Sequence, residues 1–253
     1  MSDELLRVRP RTAATQPGRQ KGGMTSSLVL LPGLDGSGEQ FAPLIAALGS
    51  EIVPVVVRYP NEGDVTLAAH VAAAQSALPT NRRYFLLGES FSGPIAVQIA
   101  ASAPAGLAGL ILCASFARFP RPRLRFLRSL GGWISPPMLP AWLVASFVLG
   151  GSARRPLRNL LDRSMSAVTP RALRSRVLAV FDFDVRSELA SITVPILYLR
   201  ASGDRLVPAS AAQEVAAIAR QTIVADLDAP HFLLQAVPDD AARIIRGFVD
   251  GAA

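Results

Sequence analysis

The stretch Tyr84-Phe85-Leu86-Leu87-Gly88-Glu89-Ser90-Phe91-Ser92-Gly93-Pro94-Ile95-Ala96-Val97 decides the fold. Its first four residues form a short apolar run of the kind that makes a strand buried on both faces. Residues 88–93, apart from Phe91, are small or polar and turn the chain, and the apolar run that follows to about Ser102 reads as a helix laid on that strand. A strand feeding a helix through a tight turn is half of a βαβ unit. The turn also has a steric signature. Gly88 and Ser92 stand two residues on either side of Ser90, where bulky side chains would collide with the strand and the helix, so the Ser90 hydroxyl is free to project. An ordinary Gly/Ser turn is the alternative reading of the same residues.

The same rhythm extends outward in both directions. Strands are expected at 28–31, 52–57, 107–113, 194–199 and 222–224, with helices at 39–48, 66–78, 210–219 and 239–249. The predicted fold class is α/β, a mostly parallel sheet with helices on both faces. Between about Phe116 and Glu188 the strand pattern stops, and Pro-rich turns separate helical pieces such as 141–149 and 156–165. Residues 116–188 are therefore expected to form a helical, Arg-rich cap inserted into a core made of residues 24–115 and 189–253. Residues 1–23, without an apolar segment, read as a disordered leader, with Met24 just before the first strand.

Composition narrows the class further. The chain has 253 residues and a single cysteine, Cys113, so a disulfide-stapled scaffold is excluded and a buried thiol in a reducing, cytoplasmic setting is expected. Half of the residues are apolar, yet Pro and Gly break every long uncharged run, and no transmembrane helix is expected. The net charge of +7 is concentrated in one segment. Arg118 to Arg176 holds twelve Arg and one acid, Asp162, which leaves −4 for the rest of the chain. Guanidinium groups in such number suit phosphate, carboxylate or lipid-headgroup contacts, or simply keep an apolar segment soluble. The basic segment matches no nucleic-acid-binding module, and no nucleic-acid partner is expected.

A serine hydroxyl needs a base to become a nucleophile, and the chain holds two histidines. His231, in Asp228-Ala229-Pro230-His231-Phe232, lies on a loop after the last strand and is the candidate base. His70, in an Ala-rich helix, is expected to be a partly exposed helix residue. The base in turn needs a carboxylate on its other nitrogen. Asp204, in Ser202-Gly203-Asp204-Arg205 after the fifth strand, is the candidate, with Asp226, Asp228, Asp182 and Asp184 as rivals. Oxyanion donors are expected from the backbone N–H groups of Phe91 and of Leu34, the latter in Pro32-Gly33-Leu34-Asp35-Gly36-Ser37-Gly38. That glycine-rich loop lacks the spacing of a phosphate-binding loop.

With Gly88-x-Ser90-x-Ser92, Pro32-Gly33-Leu34, Gly203-Asp204-x-x-Val207-Pro208 and Pro230-His231-Phe232 in that order of nucleophile, acid and base, the chain resembles the α/β-hydrolase superfamily over about residues 28–249. Two departures stand out: Ser92 replaces the second glycine of the turn, and Pro32 stands where the family often has His. The resemblance implies a serine hydrolase with an acyl-enzyme intermediate that needs no metal and no cofactor. A serine nucleophile argues against the dehalogenase and epoxide-hydrolase branches, which use Asp.

The leading expectation is hydrolysis of a carboxylic ester with an apolar acyl group, with Trp133, Trp142 and Phe147 of the cap lining the substrate pocket. The alternatives are a thioesterase or acyl hydrolase directed by its basic cap to an acidic acyl-carrier protein or an anionic lipid surface, and a non-catalytic receptor on the same fold.

Overall fold

The computed structural model describes residues 26–126, 128, 146–150 and 155–252. The expected leader, Trp133 and Trp142 lie outside the described residues. Six parallel strands, β1 (Ser26–Leu31), β2 (Ile52–Val56), β3 (Tyr84–Glu89), β4 (Leu107–Cys113), β5 (Ile196–Ala201) and β6 (Thr222–Leu227), form one sheet in the order β2-β1-β3-β4-β5-β6. Successive side chains of a strand face opposite ways. Leu28 and Leu30, Phe85 and Leu87, and Ile111 and Cys113 therefore enter one core. Val29 and Leu31, Tyr84 and Leu86, and Leu110 and Leu112 enter the other. Burial on both faces is why these strands read as unbroken apolar runs.

Helices cover each face. On one side lie α1 (Ala42–Leu48), α8 (Leu233–Ala236) and α9 (Pro238–Gly251), which supply Leu44, Leu48, Leu233, Leu234, Ile245 and Phe248. On the other lie α2 (Leu67–Ser76), α3 (Ser92–Ala101), α6 (Arg186–Ser191) and α7 (Ala209–Ile218). Between β4 and β5 the chain forms α4 (Arg155–Ser166) and α5 (Pro170–Asp182) before α6. Thr169 caps α5 by accepting the Ala172 N–H at 3.3 Å, and Pro170 occupies a first-turn position where a missing N–H costs nothing.

These two helices are bonded to the N-terminal half of the core. Asn61 donates to Ala167 O at 2.8 Å, and its side-chain oxygen accepts the Thr169 N–H at 2.9 Å. Ser175 donates to Val65 O at 2.7 Å and Gln40 to Ser164 Oγ at 2.6 Å. Among the described residues no helix is long and apolar enough to cross a membrane.

The strand order places the site. From β1 the chain turns to α1 on one face, whereas from β3 it turns to α3 on the other. Because β1 and β3 are neighbours, their two loops part at the carboxyl edge of the sheet and leave a crevice, the usual ligand position in an open α/β sheet.

Candidate active site

Ser90 stands at that crevice in the left-handed region, with φ of 50°. A side chain there costs about 1–2 kcal/mol, and the surroundings hold it in place. Its N–H donates to Cys113 O at 2.9 Å, and its carbonyl accepts from Ser115 Oγ at 2.7 Å and from the Gly93 N–H at 3.1 Å. A Cβ on Gly88 would lie 2.6 Å from Ser92 O, and one on Gly93 would lie 1.7 Å from Ser115 Oγ, so the turn closes only with glycine at both positions. The serine at 92 has its own role. It is fully buried, accepts from the Tyr59 hydroxyl at 2.7 Å, and donates its one proton to the carbonyl of Pro32, tying the start of α3 to the loop after β1.

Three side chains far apart in sequence meet here. The Ser90 hydroxyl lies 2.9 Å from His231 Nε2, and His231 Nδ1 lies 2.7 Å from Asp204 Oδ2. The other carboxylate oxygen accepts the N–H groups of Leu206 at 2.8 Å and Val207 at 2.9 Å, which leaves Oδ2 for the imidazole. The partners fix the tautomer: Nδ1 carries the proton toward Asp204, and Nε2 is the acceptor for the Ser90 hydroxyl. The loops after β5 and β6 are bonded directly, Gly203 N–H to Ala229 O at 2.9 Å, which brings position 204 beside position 231. The rival acids are engaged elsewhere: Asp226 with Arg200, Asp182 with Arg128, Asp184 with Arg186, and Asp228 with the Ser202 hydroxyl.

In the loop after β1, Gly33 O accepts the Gly36 N–H at 3.1 Å in a tight turn. The C=O and N–H of a trans peptide point opposite ways, so drawing Gly33 O into the turn directs the Leu34 N–H outward. The Phe91 N–H follows Ser90 directly, at the start of α3. Neither amide has a hydrogen-bond partner among the described residues. Glu89, just before Ser90, is buried and accepts from Gln235 Nε2 at 2.9 Å, while its second oxygen has no partner among the described residues. Burial, with a smaller push from the Asp35 carboxylate, raises Glu89 to about 7.

His70 is not partly exposed, as its helix position suggested, but buried. Its Nδ1 bonds the Thr66 carbonyl one turn back, and Nε2 accepts from Arg176 Nε at 3.0 Å. Arg176 itself, on α5, is only 1% exposed. The sequence did carry a signal: Arg176 falls four residues after Ala172 and four before Val180, inside the apolar stripe of α5. Phe147 is 44% exposed, next to Val148, whose carbonyl accepts the Phe232 N–H at 3.1 Å. Among the described residues no cluster of His, Cys, Asp and Glu could hold a metal ion.

A model of the alpha/beta hydrolase family matches residues 28–244. The chain belongs to that family. The biotin biosynthesis bifunctional protein BioHC of Cellvibrio japonicus is 27% identical to this α/β hydrolase over 89% of its chain, which spans 51% of that relative. A segment covering 30% of the chain is 35% identical to the chloroplastic phytyl ester synthase 1 of Arabidopsis thaliana, and covers 12% of it. The chain thus spans about half or less of these curated relatives. Among solved structures, an esterase from Exiguobacterium antarcticum superposes with a TM-score of 0.75 at 16% identity, over 89% of this chain and 92% of that one, a likeness of fold.

Proposed function

We propose that this α/β hydrolase is a serine esterase that cleaves a carboxylic ester of an apolar acyl group through an acyl-enzyme. The observation that carries the reading is the unbroken hydrogen-bond chain from the Ser90 hydroxyl through His231 to Asp204. His231 Nε2 takes the hydroxyl proton as Ser90 Oγ attacks the ester carbon, and Asp204 stabilises the imidazolium that forms. The negative oxygen of the tetrahedral species is held by the N–H groups of Leu34 and Phe91, which are already oriented and pay no reorganisation cost. The imidazolium then gives its proton to the departing alkoxide. Water repeats the sequence on the acyl-enzyme, with the proton passing to His231 and back to Ser90. No metal or cofactor enters these steps.

Phe147 is proposed for the acyl-binding side, as are Trp133 and Trp142, which lie outside the described residues. Turnover of p-nitrophenyl esters from acetate to palmitate by the wild type and Ser90→Ala tests the reading. A loss of several orders of magnitude is expected, and equal turnover by both proteins would remove the assignment. A second reading, an acyl group presented by an acidic carrier or an anionic lipid, is favoured by Arg123, Arg125, Arg155, Arg158, Arg171 and Arg174. All six are exposed and have no acidic partner among the described residues. Under that reading turnover of a carrier- or vesicle-bound ester falls steeply with salt, while turnover of a soluble ester does not. The buried, free Cys113, whose thiol burial pushes well above its ordinary range, fits a reducing cytoplasmic setting.

A further inference from the structure

We infer that Arg176 is a positioning residue for the Leu34 N–H: a buried guanidinium on α5 that fixes the loop after β1 in the shape needed to receive the oxyanion. The inference rests on the reading of Leu34 as an oxyanion donor.

Arg176 reaches three separate segments at once. Its Nη1 donates to Leu34 O and to Asp35 O, both at 2.9 Å, its Nη2 to Pro60 O at 2.9 Å, and its Nε to His70 Nε2 at 3.0 Å. It forms no salt bridge to a carboxylate among the described residues, so its partners are three carbonyls and a neutral imidazole. His70 is suited to that role. Its Nδ1–H is spent on the Thr66 carbonyl, which leaves an Nε2 lone pair facing Arg176, and burial together with the neighbouring cation holds His70 below its ordinary range. Even Gly36 belongs to the seat, because a Cβ there would lie 2.4 Å from the guanidinium.

The geometry links this seat to the reacting atoms. The Leu34 N–H lies in the peptide plane before the Leu34 Cα, and that plane is anchored at the Cα by the plane that follows. The plane before it is fixed by the Gly36 N–H on Gly33 O; the plane after it is fixed by Arg176 on Leu34 O and, one residue on, Asp35 O. Ser92 fixes the Pro32 carbonyl at the other end of the same loop. A donor aimed before the reaction is what makes such a site effective, so loosening one plane misdirects the amide without touching substrate. Only arginine fits the four acceptors. Its donors are held in a planar fork, whereas the three donors of a lysine radiate from one point.

A structural staple and a positioning residue predict different kinetics. In Arg176→Gln and Arg176→Lys, kcat for p-nitrophenyl butanoate is expected to fall about 10²-fold and about 10-fold respectively, with KM held within about threefold, because the lost interaction belongs to the transition state. Affinity for butylboronic acid, whose tetrahedral adduct on Ser90 places an anionic oxygen between the two amides, is expected to fall in the same proportion. His70→Gln, which leaves the three carbonyl bonds, gives a milder step in the same direction. Exposed Arg220→Gln, between α7 and β6 and away from the loop after β1, leaves all three readings unchanged. If Arg176→Gln does not fold, Arg176→Lys and His70→Gln carry the comparison. A folded Arg176 variant with wild-type kcat and wild-type boronate affinity overturns the inference, as does a rise in KM at constant kcat. Ser90→Ala run in parallel separates the two levels. Full turnover in that variant defeats the esterase reading itself, whereas its loss alongside intact Arg176 variants defeats only the positioning role.

Discussion

Replacing Ser90 by Gly should give a more stable protein than replacing it by Ala. Both changes delete the same hydroxyl, so the bond to His231 cancels from the comparison and only the Cβ differs. With φ at 50° that Cβ costs about 1–2 kcal/mol in the folded state. Glycine gives back about 0.5–1 kcal/mol through its freer unfolded chain, and the half-buried position loses part of one methyl, worth at most about 0.8 kcal/mol. The net is about 0.5 kcal/mol in favour of Gly, or about 1–2 °C in Tm for a chain of this size. Ala103, with φ of 47° at the exposed end of α3, is the control. Ala103→Gly has the same relief without the packing loss, so its gain should be the larger, about 2–3 °C. Scanning calorimetry with urea unfolding as a second probe measures both. If Ser90→Ala equals or exceeds Ser90→Gly while Ala103→Gly gains, the turn is not under backbone strain and the account of how the hydroxyl is made to project is wrong.

Three further outcomes follow from the same neighbourhood. Glu89 ionises at about 7 when folded against an ordinary 4.5, so the folded state holds its proton longer. Wild type should lose about 3 kcal/mol of stability relative to Glu89→Gln as pH rises from about 4.5 to about 7. A Tm difference between the two proteins that stays flat across that window contradicts the assignment. Ser92→Gly restores the family's usual residue but strips the Tyr59 hydroxyl and the Pro32 carbonyl of their shared partner; a loss of about 2 kcal/mol in urea unfolding is expected, and unchanged stability would mean that the link carries nothing. Asp204→Asn should fold normally yet lower kcat by about 10⁴, because the amide cannot hold Nδ1 protonated and also stabilise an imidazolium; near-normal turnover would return the role to another acid.

Strands and the turn at Ser90 were legible because their signals are local. An apolar run buried on both sides, and small residues flanking a serine, need no knowledge of distant contacts. The expected strand at 222–224 runs on to Leu227, since Asp226 is held on an otherwise exposed edge by Arg200 across the β5 pair. The strand expected at 194–199 begins instead at Ile196, opposite Leu110, and Pro195, which has no N–H to give, contributes only its carbonyl, to the Leu110 N–H. The helix expected over 39–48 divides into a 3-10 turn at Glu39–Phe41 and α1, with Pro43 in the first turn of α1. Less legible were groups whose role depends on what folds against them. His70 in an Ala-rich helix gave no sign that an arginine 106 residues later would claim its free nitrogen. Twelve arginines in one segment read as a charged surface, and the buried one among them differed only in its phase along α5. Ser92 looked like a tolerated replacement for glycine until Tyr59 and Pro32 were found on either side of it.

The span of the Arg176 contacts bears on how the chain matures as it is made. Its partners at Leu34, Asp35, Pro60 and His70 precede it by 142, 141, 116 and 106 residues. On a ribosome those acceptors, three carbonyls and an imidazole nitrogen, are extruded long before the guanidinium that will claim them, and until then water must occupy their lone pairs. Closing so wide a loop is entropically late in any folding order. His231, still further along, arrives last of all. Until position 231 has emerged, the Ser90 hydroxyl therefore has no imidazole beside it to take its proton.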